Sequence, residues 1–277
     1  MLRALAALLL LTLAGLNAAG QTSRAVPQVQ DLWWGGPEES GWGLSIIQHD
    51  DRLFCSLLVY DETAHTTWFV ISGGTWNDER TEYTAPIYWP RAPGQSFNSY
   101  DATRFEVGAP AGHATLAFSS QGTGSLRYAL TSSGYQGEKQ IRRMTFAAPA
   151  PGRFSNLTDM WWGGVSQAGW AVSIVQQGDE LFLFWLTYFD QNIHPREGFP
   201  SWLAMPGGTW TSANVYEGAM YRPYGALWLG RPGFDANRVS YPNFGPYKLT
   251  FLDANRATLQ YQVLGTAGTI ELTRFGF

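Results

Sequence analysis

The sequence predicts an all-β protein built from two tandem eight-stranded antiparallel meander barrels. Three observations predict it. Residues 31–42 read Asp31-Leu-Trp-Trp-Gly-Gly-Pro-Glu-Glu-Ser-Gly-Trp42, and residues 159–170 read Asp159-Met-Trp-Trp-Gly-Gly-Val-Ser-Gln-Ala-Gly-Trp170, with identical spacing. The residues C-terminal to each block also recur in the same order, which marks an internal duplication. Each copy then divides into eight short strand-like runs separated by turn residues.

The chain opens with a secretory pattern. Arg3 gives a short positive region, Ala4–Leu16 an apolar core, and Ala18-Ala19-Gly20 a small-residue cleavage site. Residues 1–20 are therefore expected to be a signal peptide, and the apolar stretch is too short to span a bilayer. Residues 21–30 form a tether. Repeat 1 covers 31–146, a Pro/Ala/Gly linker covers 147–158, and repeat 2 covers 159–277.

In repeat 1 the expected strands lie near 41–49, 52–61, 66–74, 80–89, 102–109, 112–119, 124–131 and 136–146. Trp42, Leu44 and Ile46 alternate with Gly43, Ser45 and Ile47, the period of a strand. His49-Asp50-Asp51 and Ser132-Ser133-Gly134 supply turns. In repeat 2 the runs lie near 169–177, 180–189, 200–208, 214–222, 236–243, 246–252, 256–264 and 267–277. The copies match at Leu53-Phe54 and Leu181-Phe182, at Tyr60 and Tyr188, and at Trp68 and Trp202. Gly73-Gly-Thr-Trp76 recurs unchanged as Gly207-Gly-Thr-Trp210, and Asp101-Ala-x-Arg104 matches Asp235-Ala-x-Arg238. Closing eight strands into a barrel removes exposed edges; a flattened sandwich is the alternative. The second strand of each copy is apolar on both faces, so the repeats are expected to pack on each other through it.

Composition narrows the function classes. Charged residues are 14% of the chain, aromatics 15%, and the net charge is −4 without any basic run. Nucleic acid is an unsuitable partner for such a surface. The single cysteine, Cys55, lies in an apolar strand and matches Leu183, so it reads as a core thiol. No catalytic residue, metal site or cofactor motif emerges. Ser40 follows Glu39, but repeat 2 has Ala168 and Gln167 there. Glu38 and Glu39 are adjacent, and on a strand would point to opposite faces instead of converging as a hydrolytic pair. His49, His65, His113 and His194 lack metal-ligand spacing. Asp235-Ala-Asn-Arg238 and Asp253-Ala-Asn-Arg256 read as Asx-capped turns.

With those residues quoted, a resemblance can be stated. The run Trp33–Gly43, then Leu53-Phe54, Tyr60-Asp61 and a Trp68-Phe69 strand, resembles a largely uncharacterised family of exported bacterial repeat domains. Their typical form reads W-W-N-P-x-E-S-G-W-G, then L-F-x-x-W-x-x-Y-D, then a W-L strand. Repeat 1 keeps Pro37, Glu39, Ser40, Gly41, Trp42, Gly43, Tyr60 and Asp61, whereas repeat 2 carries Val165, Gln167 and Ala168. The resemblance implies export and a β-rich domain, and no particular activity.

The duplicated aromatics leave two readings. Trp33, Trp34, Trp42, Trp68 and Trp76 and their partners fill the barrels, or some of them line a ligand mouth. Candidate ligand contacts are Trp33, Trp34, Trp42, Trp161, Trp162 and Trp170. Tyr224 and Trp228 join them from the aromatic loop Tyr221–Phe234, whose copy-one counterpart is Tyr88–Phe97. The leading expectation is a periplasmic or extracellular, non-enzymatic module that binds a glycan, peptide or small aromatic ligand, or contacts the cell envelope. A hydrolase of an envelope polymer with its site between the barrels, and a purely structural scaffold, are the alternatives.

Overall fold

The computed structural model describes residues 25–120, 122–131, 134–148, 151–152, 156–190, 193–228 and 234–277. The expected signal peptide, the first part of the tether, and parts of the linker and of the Ser132-Ser133 turn lie outside the described residues. Repeat 1 contains β1 (Asp31–Trp34), β2 (Gly43–His49), β3 (Arg52–Tyr60), β4 (Thr66–Ser72), β5 (Thr75–Trp76), β6 (Glu82–Tyr88), β7 (Gly112–Ser120), β8 (Thr123–Leu130) and β9 (Gln136–Arg143). Repeat 2 contains β10 (Asp159–Trp162), β11 (Ala171–Gln177), β12 (Glu180–Tyr188), β13 (Pro200–Pro206), β14 (Thr209–Trp210), β15 (Val215–Tyr221), β16 (Asn243–Phe251), β17 (Arg256–Val263) and β18 (Thr266–Arg274).

Each repeat closes into an antiparallel barrel. In repeat 1, β1 joins β2 on one side and β9 on the other, and β4 pairs with β6 to complete the ring; β5 is an extra strand on β6. Repeat 2 has the same pairing order. Among the described residues the only helical elements are short 3-10 turns, and no helix is long and apolar enough to cross a membrane.

The strand expected at 102–109, and its counterpart at 236–243, is not a strand. Residues Ala102–Arg104 and Ala236–Arg238 are 3-10 turns, capped by Asp101 and Asp235, whose carboxylates accept from the amides of Thr103 and Asn237. A side chain that caps its own backbone competes with sheet pairing. The eighth strand is the tryptophan block itself. Trp33 pairs with Leu44 and Arg143, and Trp161 with Val172 and Arg274. An ion pair reinforces each seam: Arg143 Nη1 lies 3.0 Å from Asp31 Oδ2, and Arg274 Nη1 lies 3.0 Å from Asp159 Oδ2. Each guanidinium also covers the indole beside it, 4.9 Å from the ring centre of Trp33 or Trp161.

Inward-facing side chains fill the barrels. Leu44, Ile46, Leu57, Ile71, Tyr83, Leu116 and Leu126 are buried in repeat 1, and Ile174, Leu183, Trp185, Tyr216, Leu249 and Leu259 in repeat 2. The opposite faces of β2–β4 and β11–β13 meet each other. Small hydroxylated residues let those sheets approach, and Ser45 Oγ lies 2.7 Å from Ser173 Oγ. The contacts are reciprocal: the Trp68 indole N–H donates to Thr187 O at 3.3 Å, and the Trp202 indole N–H to Val59 O at 3.1 Å. Gln177 Nε2 reaches Asp31 Oδ1 at 3.0 Å, and at the matching place His49 Nε2 reaches Asp159 Oδ1 at 3.1 Å. The apolar cluster of barrel 1 runs without a break into Met160, Phe184, Leu186, Tyr188 and Trp202.

The two aromatic loops are exchanged. The repeat-1 loop crosses to barrel 2, where the Phe97 amide donates to Tyr188 O at 3.0 Å and its ring meets Trp185, Phe189 and Tyr261 at 5.7–5.9 Å. The repeat-2 loop crosses to barrel 1, where Trp228 stacks on Tyr128 at 4.9 Å and packs on Trp42 at 5.4 Å. Gly41 (φ 122°) and Gly169 (φ 116°) lie under the incoming loops in the left-handed region. A Cβ on Gly41 would come 2.9 Å from Val239, and one on Gly169 2.1 Å from the Tyr100 hydroxyl.

Candidate functional site

Two clefts lie between the barrels at equivalent places. The larger, of about 430 Å³, is lined by Trp162, Trp170, Met160 and Phe275 from repeat 2 and by Phe54, Trp68, Val70 and Phe105 from repeat 1. The smaller, of about 190 Å³, is lined by Trp34, Trp42 and Met144 from repeat 1 and by Phe182, Phe184, Trp202 and Tyr241 from repeat 2. The larger volume falls within the range of small-molecule sites, and the smaller does not reach it. Among the described residues, no charged side chain lines either cleft.

Most of the buried tryptophans commit their indole N–H; Trp185 and Trp228 are buried with no N–H partner among the described residues. Trp33 and Trp161 are buried in the barrels and donate to Val29 O at 2.9 Å and to Leu157 O at 3.1 Å. Trp42 and Trp170, also buried, donate to Glu39 Oε2 at 3.1 Å and to Gln167 Oε1 at 3.3 Å. That explains Gln167 at the Glu39 position, since either side chain offers the acceptor. Glu39 is also bound by Lys139 Nζ at 2.5 Å. Trp76 and Trp210 pin the outer strands β5 and β14 to the hairpin turns at Asp51 O (2.8 Å) and Asp179 O (2.7 Å).

Trp34 and Trp162 differ from all of these. Each comes directly after the buried tryptophan of its block and therefore points to the opposite face of the strand. Both are half-buried, and each lines one cleft. Among the described residues, neither indole N–H bonds to a protein group. In the larger cleft Phe275 meets Trp162 edge-on at 4.9 Å, and the Ser72 and Tyr88 hydroxyls are likewise without partners among the described residues. The structure thus brings Trp162 and Trp170 to one cleft and Trp34, Trp33 and Trp42 to the other. Tyr224, 44% exposed, forms a bridge with His65 outside both clefts, and Trp228 is buried in the mouth of barrel 1.

A polar cluster that no motif announced also sits between the repeats. Asp61 directly follows β3, and His194 lies in the β12–β13 loop of repeat 2. His194 Nε2 lies 3.8 Å from Asp61 Oδ2, the side chains are 0% and 1% exposed, and neither atom has a hydrogen-bond partner among the described residues. The His65 ring meets His194 at 5.1 Å. Asp61 Oδ1 is occupied by the Thr63 amide (2.8 Å), the Thr63 hydroxyl (2.6 Å) and the His65 amide (3.2 Å). This acid–base pair is enclosed, so a polymer substrate cannot reach it without parting the barrels. Burial pushes the Cys55 thiol far up, which keeps it unreactive. Among the described residues, no group of three His, Cys, Asp or Glu side chains is placed to hold a metal ion.

The enclosed histidine makes stability depend on pH. Burial, the largest influence, pulls the His194 imidazole from 6.5 down to about 4; Asp61 opposes this, and His65 and Arg222 add to it. The unfolded chain binds a proton near pH 6.5 that the folded chain accepts only near pH 4. This contribution is therefore full above pH 6.5 and is lost as the pH falls from there through 4. His194→Gln should flatten this acid slope in thermal melts taken across that window. A slope unchanged from wild type would assign the acid response to other groups.

No family model matches the chain, and no curated protein matches it in sequence.

Proposed function

We propose that this chain is an exported, non-enzymatic binding module whose ligand sits between the two barrels against Trp162. The observation that carries this reading is the half-buried indole with an uncommitted N–H in an apolar cleft of about 430 Å³. A buried tryptophan normally finds a partner for its N–H, as Trp33, Trp42, Trp161 and Trp170 do here. Export, to the periplasm or beyond the cell, rests on the secretory pattern of residues 1–20 and on the resemblance of the tryptophan block to exported repeat domains. N-terminal sequencing of fractionated material should find a mature chain starting near Gly20 or Gln21; an intact Met1 in the cytosol would refute export.

The cleft favours a small apolar or aromatic ligand over a glycan, whose many hydroxyls need more polar partners than this lining offers. Intrinsic fluorescence titrated with glycans, peptides, lipids and neutral aromatics tests the reading. Trp162→Ala should weaken binding at least about tenfold while costing under about 1.5 kcal/mol of stability. Trp161→Ala, one residue earlier but inside the barrel, should cost about 3–5 kcal/mol. If Trp162→Ala unfolds the protein as Trp161→Ala does, and no ligand class binds, the two barrels are a structural scaffold.

A further inference from the structure

The duplication supplies a plugged copy of the larger cleft. Segments 105–107 and 239–241 follow equivalent 3-10 turns and are held by equivalent bridges, Arg91↔Glu106 in repeat 1 and Tyr224↔Ser240 in repeat 2. Val107 and Tyr241 therefore leave the same backbone position, and each lines the cleft beside it. Tyr241 reaches across the smaller cleft: its hydroxyl is hydrogen-bonded to the Ser40 side chain and would lie 3.1 Å from a Cβ on Gly41. Val107 ends at its methyl groups, and the counterpart of Ser40 is Ala168, which also lines the larger cleft. Both halves of the plug are thus missing there. Phe105 stands where repeat 2 has Val239, and its ring is turned onto the cleft glycine. Phe105 Cδ2 would lie 2.5 Å from a Cβ on Gly169, as Val239 Cγ2 would lie 2.9 Å from one on Gly41. With Phe105 in place the larger cleft still holds about 430 Å³, against about 190 Å³ in the plugged one.

Resting on the reading of the larger cleft as the binding site, we propose that it takes a neutral aromatic ring in the space beyond Val107 and Ala168, where the smaller cleft holds the Tyr241 phenol. The residue at the Val107/Tyr241 position then decides which cleft is open, so one ligand binds per chain. The lining rings of Phe105, Trp162 and Trp170 present faces and edges that favour an aromatic guest over an aliphatic one. No charged side chain lines the cleft, so an ionised guest would lose its hydration with nothing to offset the loss. Ala168 offers no hydroxyl where Ser40 does. A polar substituent on the ring is received instead by the Trp162 N–H or by the Ser72 or Tyr88 hydroxyl, all without partners among the described residues.

The probes are p-cresol, which is the tyrosine side chain as a free molecule, and heptanol. They share a carbon count and a single hydroxyl, and transfer by apolar area ranks heptanol first. In NMR titrations of the full mature chain, p-cresol should move the Trp162 indole N–H resonance and bind at least about threefold tighter than heptanol. Val107→Tyr combined with Ala168→Ser rebuilds the plug, and should weaken p-cresol at least about tenfold without lowering the melting temperature. Val107→Thr, which keeps the side chain's size, should leave p-cresol binding as it is. Tyr241→Gly should open a second p-cresol site, read at the Trp34 indole resonance. Val107 and Tyr241 are 47% and 48% exposed, so these chains should all fold. Heptanol binding as tightly as p-cresol, p-cresol unaffected in the Val107→Tyr, Ala168→Ser chain, or no second site in the Tyr241→Gly chain would overturn the ring proposal and leave the cleft as a general apolar site. If neither compound, nor any ligand class of the fluorescence titration, binds the wild-type chain, the binding reading itself fails and the ring proposal with it.

Discussion

Residues 159–277 expressed alone are expected to aggregate or to show no cooperative unfolding transition. The face of β11–β13 that meets repeat 1 would then lie in water, with Phe184, Leu186, Tyr188 and Trp202 exposed, all buried in the whole chain. Fully burying a large apolar side chain contributes about 1.5–3 kcal/mol, so these four alone account for roughly 6–12 kcal/mol. That is comparable with the whole stability of a typical domain, about 5–15 kcal/mol. The isolated repeat also loses the Phe97 loop, which closes the end of its barrel against Trp185 and Tyr261. The Trp202 indole N–H loses Val59 O. Gel filtration and urea unfolding of the two separate repeats, compared with the intact chain, check this. A soluble monomeric repeat as stable as the whole would show that the shared face contributes little.

Trp228→Ala is expected to cost about 3–5 kcal/mol, the range for a buried aromatic truncation. The change lies in repeat 2, yet its effect should appear in repeat 1. Trp228 is 3% exposed and packs on Trp42 and Tyr128 of the other barrel. Amide exchange should therefore accelerate in β2 and β8 before it does in β16 or β17. Trp228→Phe is the control. The indole N–H of Trp228 has no partner among the described residues, so its removal relieves an unsatisfied donor and should cost far less than truncation to alanine. Destabilisation confined to repeat 2 would refute the exchanged-loop account.

Much of the architecture is legible locally. Period-two alternation over Gly43–His49 and turn chemistry at Asp50-Asp51 specify a strand and a hairpin whatever lies around them. The apolar residues on both faces of β3 and β12 are enough to call for a shared face between the repeats, because a strand apolar on both sides must be covered on both. The expected strands at 102–109 and 236–243 gave way to the Asx-capped turn that the sequence also shows at Asp235–Arg238 and at its match Asp101–Arg104, because a carboxylate that caps its own backbone takes the amides a sheet would need. The first strands, β1 and β10, are hidden because each is only four residues long and is followed at once by Gly-Gly. Their partners β9 and β18 lie at the far end of each repeat, and no periodicity reports such closure.

The sequence by itself determined the duplication, the all-β class and the presence of tryptophan in pairs, because repetition and alternation are properties of the chain alone. Which tryptophan of each pair faces inward was left to the tertiary structure. Trp33 and Trp161 turn into the barrel and commit their N–H groups, while Trp34 and Trp162 turn out towards the sister repeat. The loop exchange, the enclosed Asp61–His194 pair and the unequal clefts were decided there too. Each depends on which residues meet after closure, and that is set by packing between segments far apart in the chain, where sequence spacing carries no distance information.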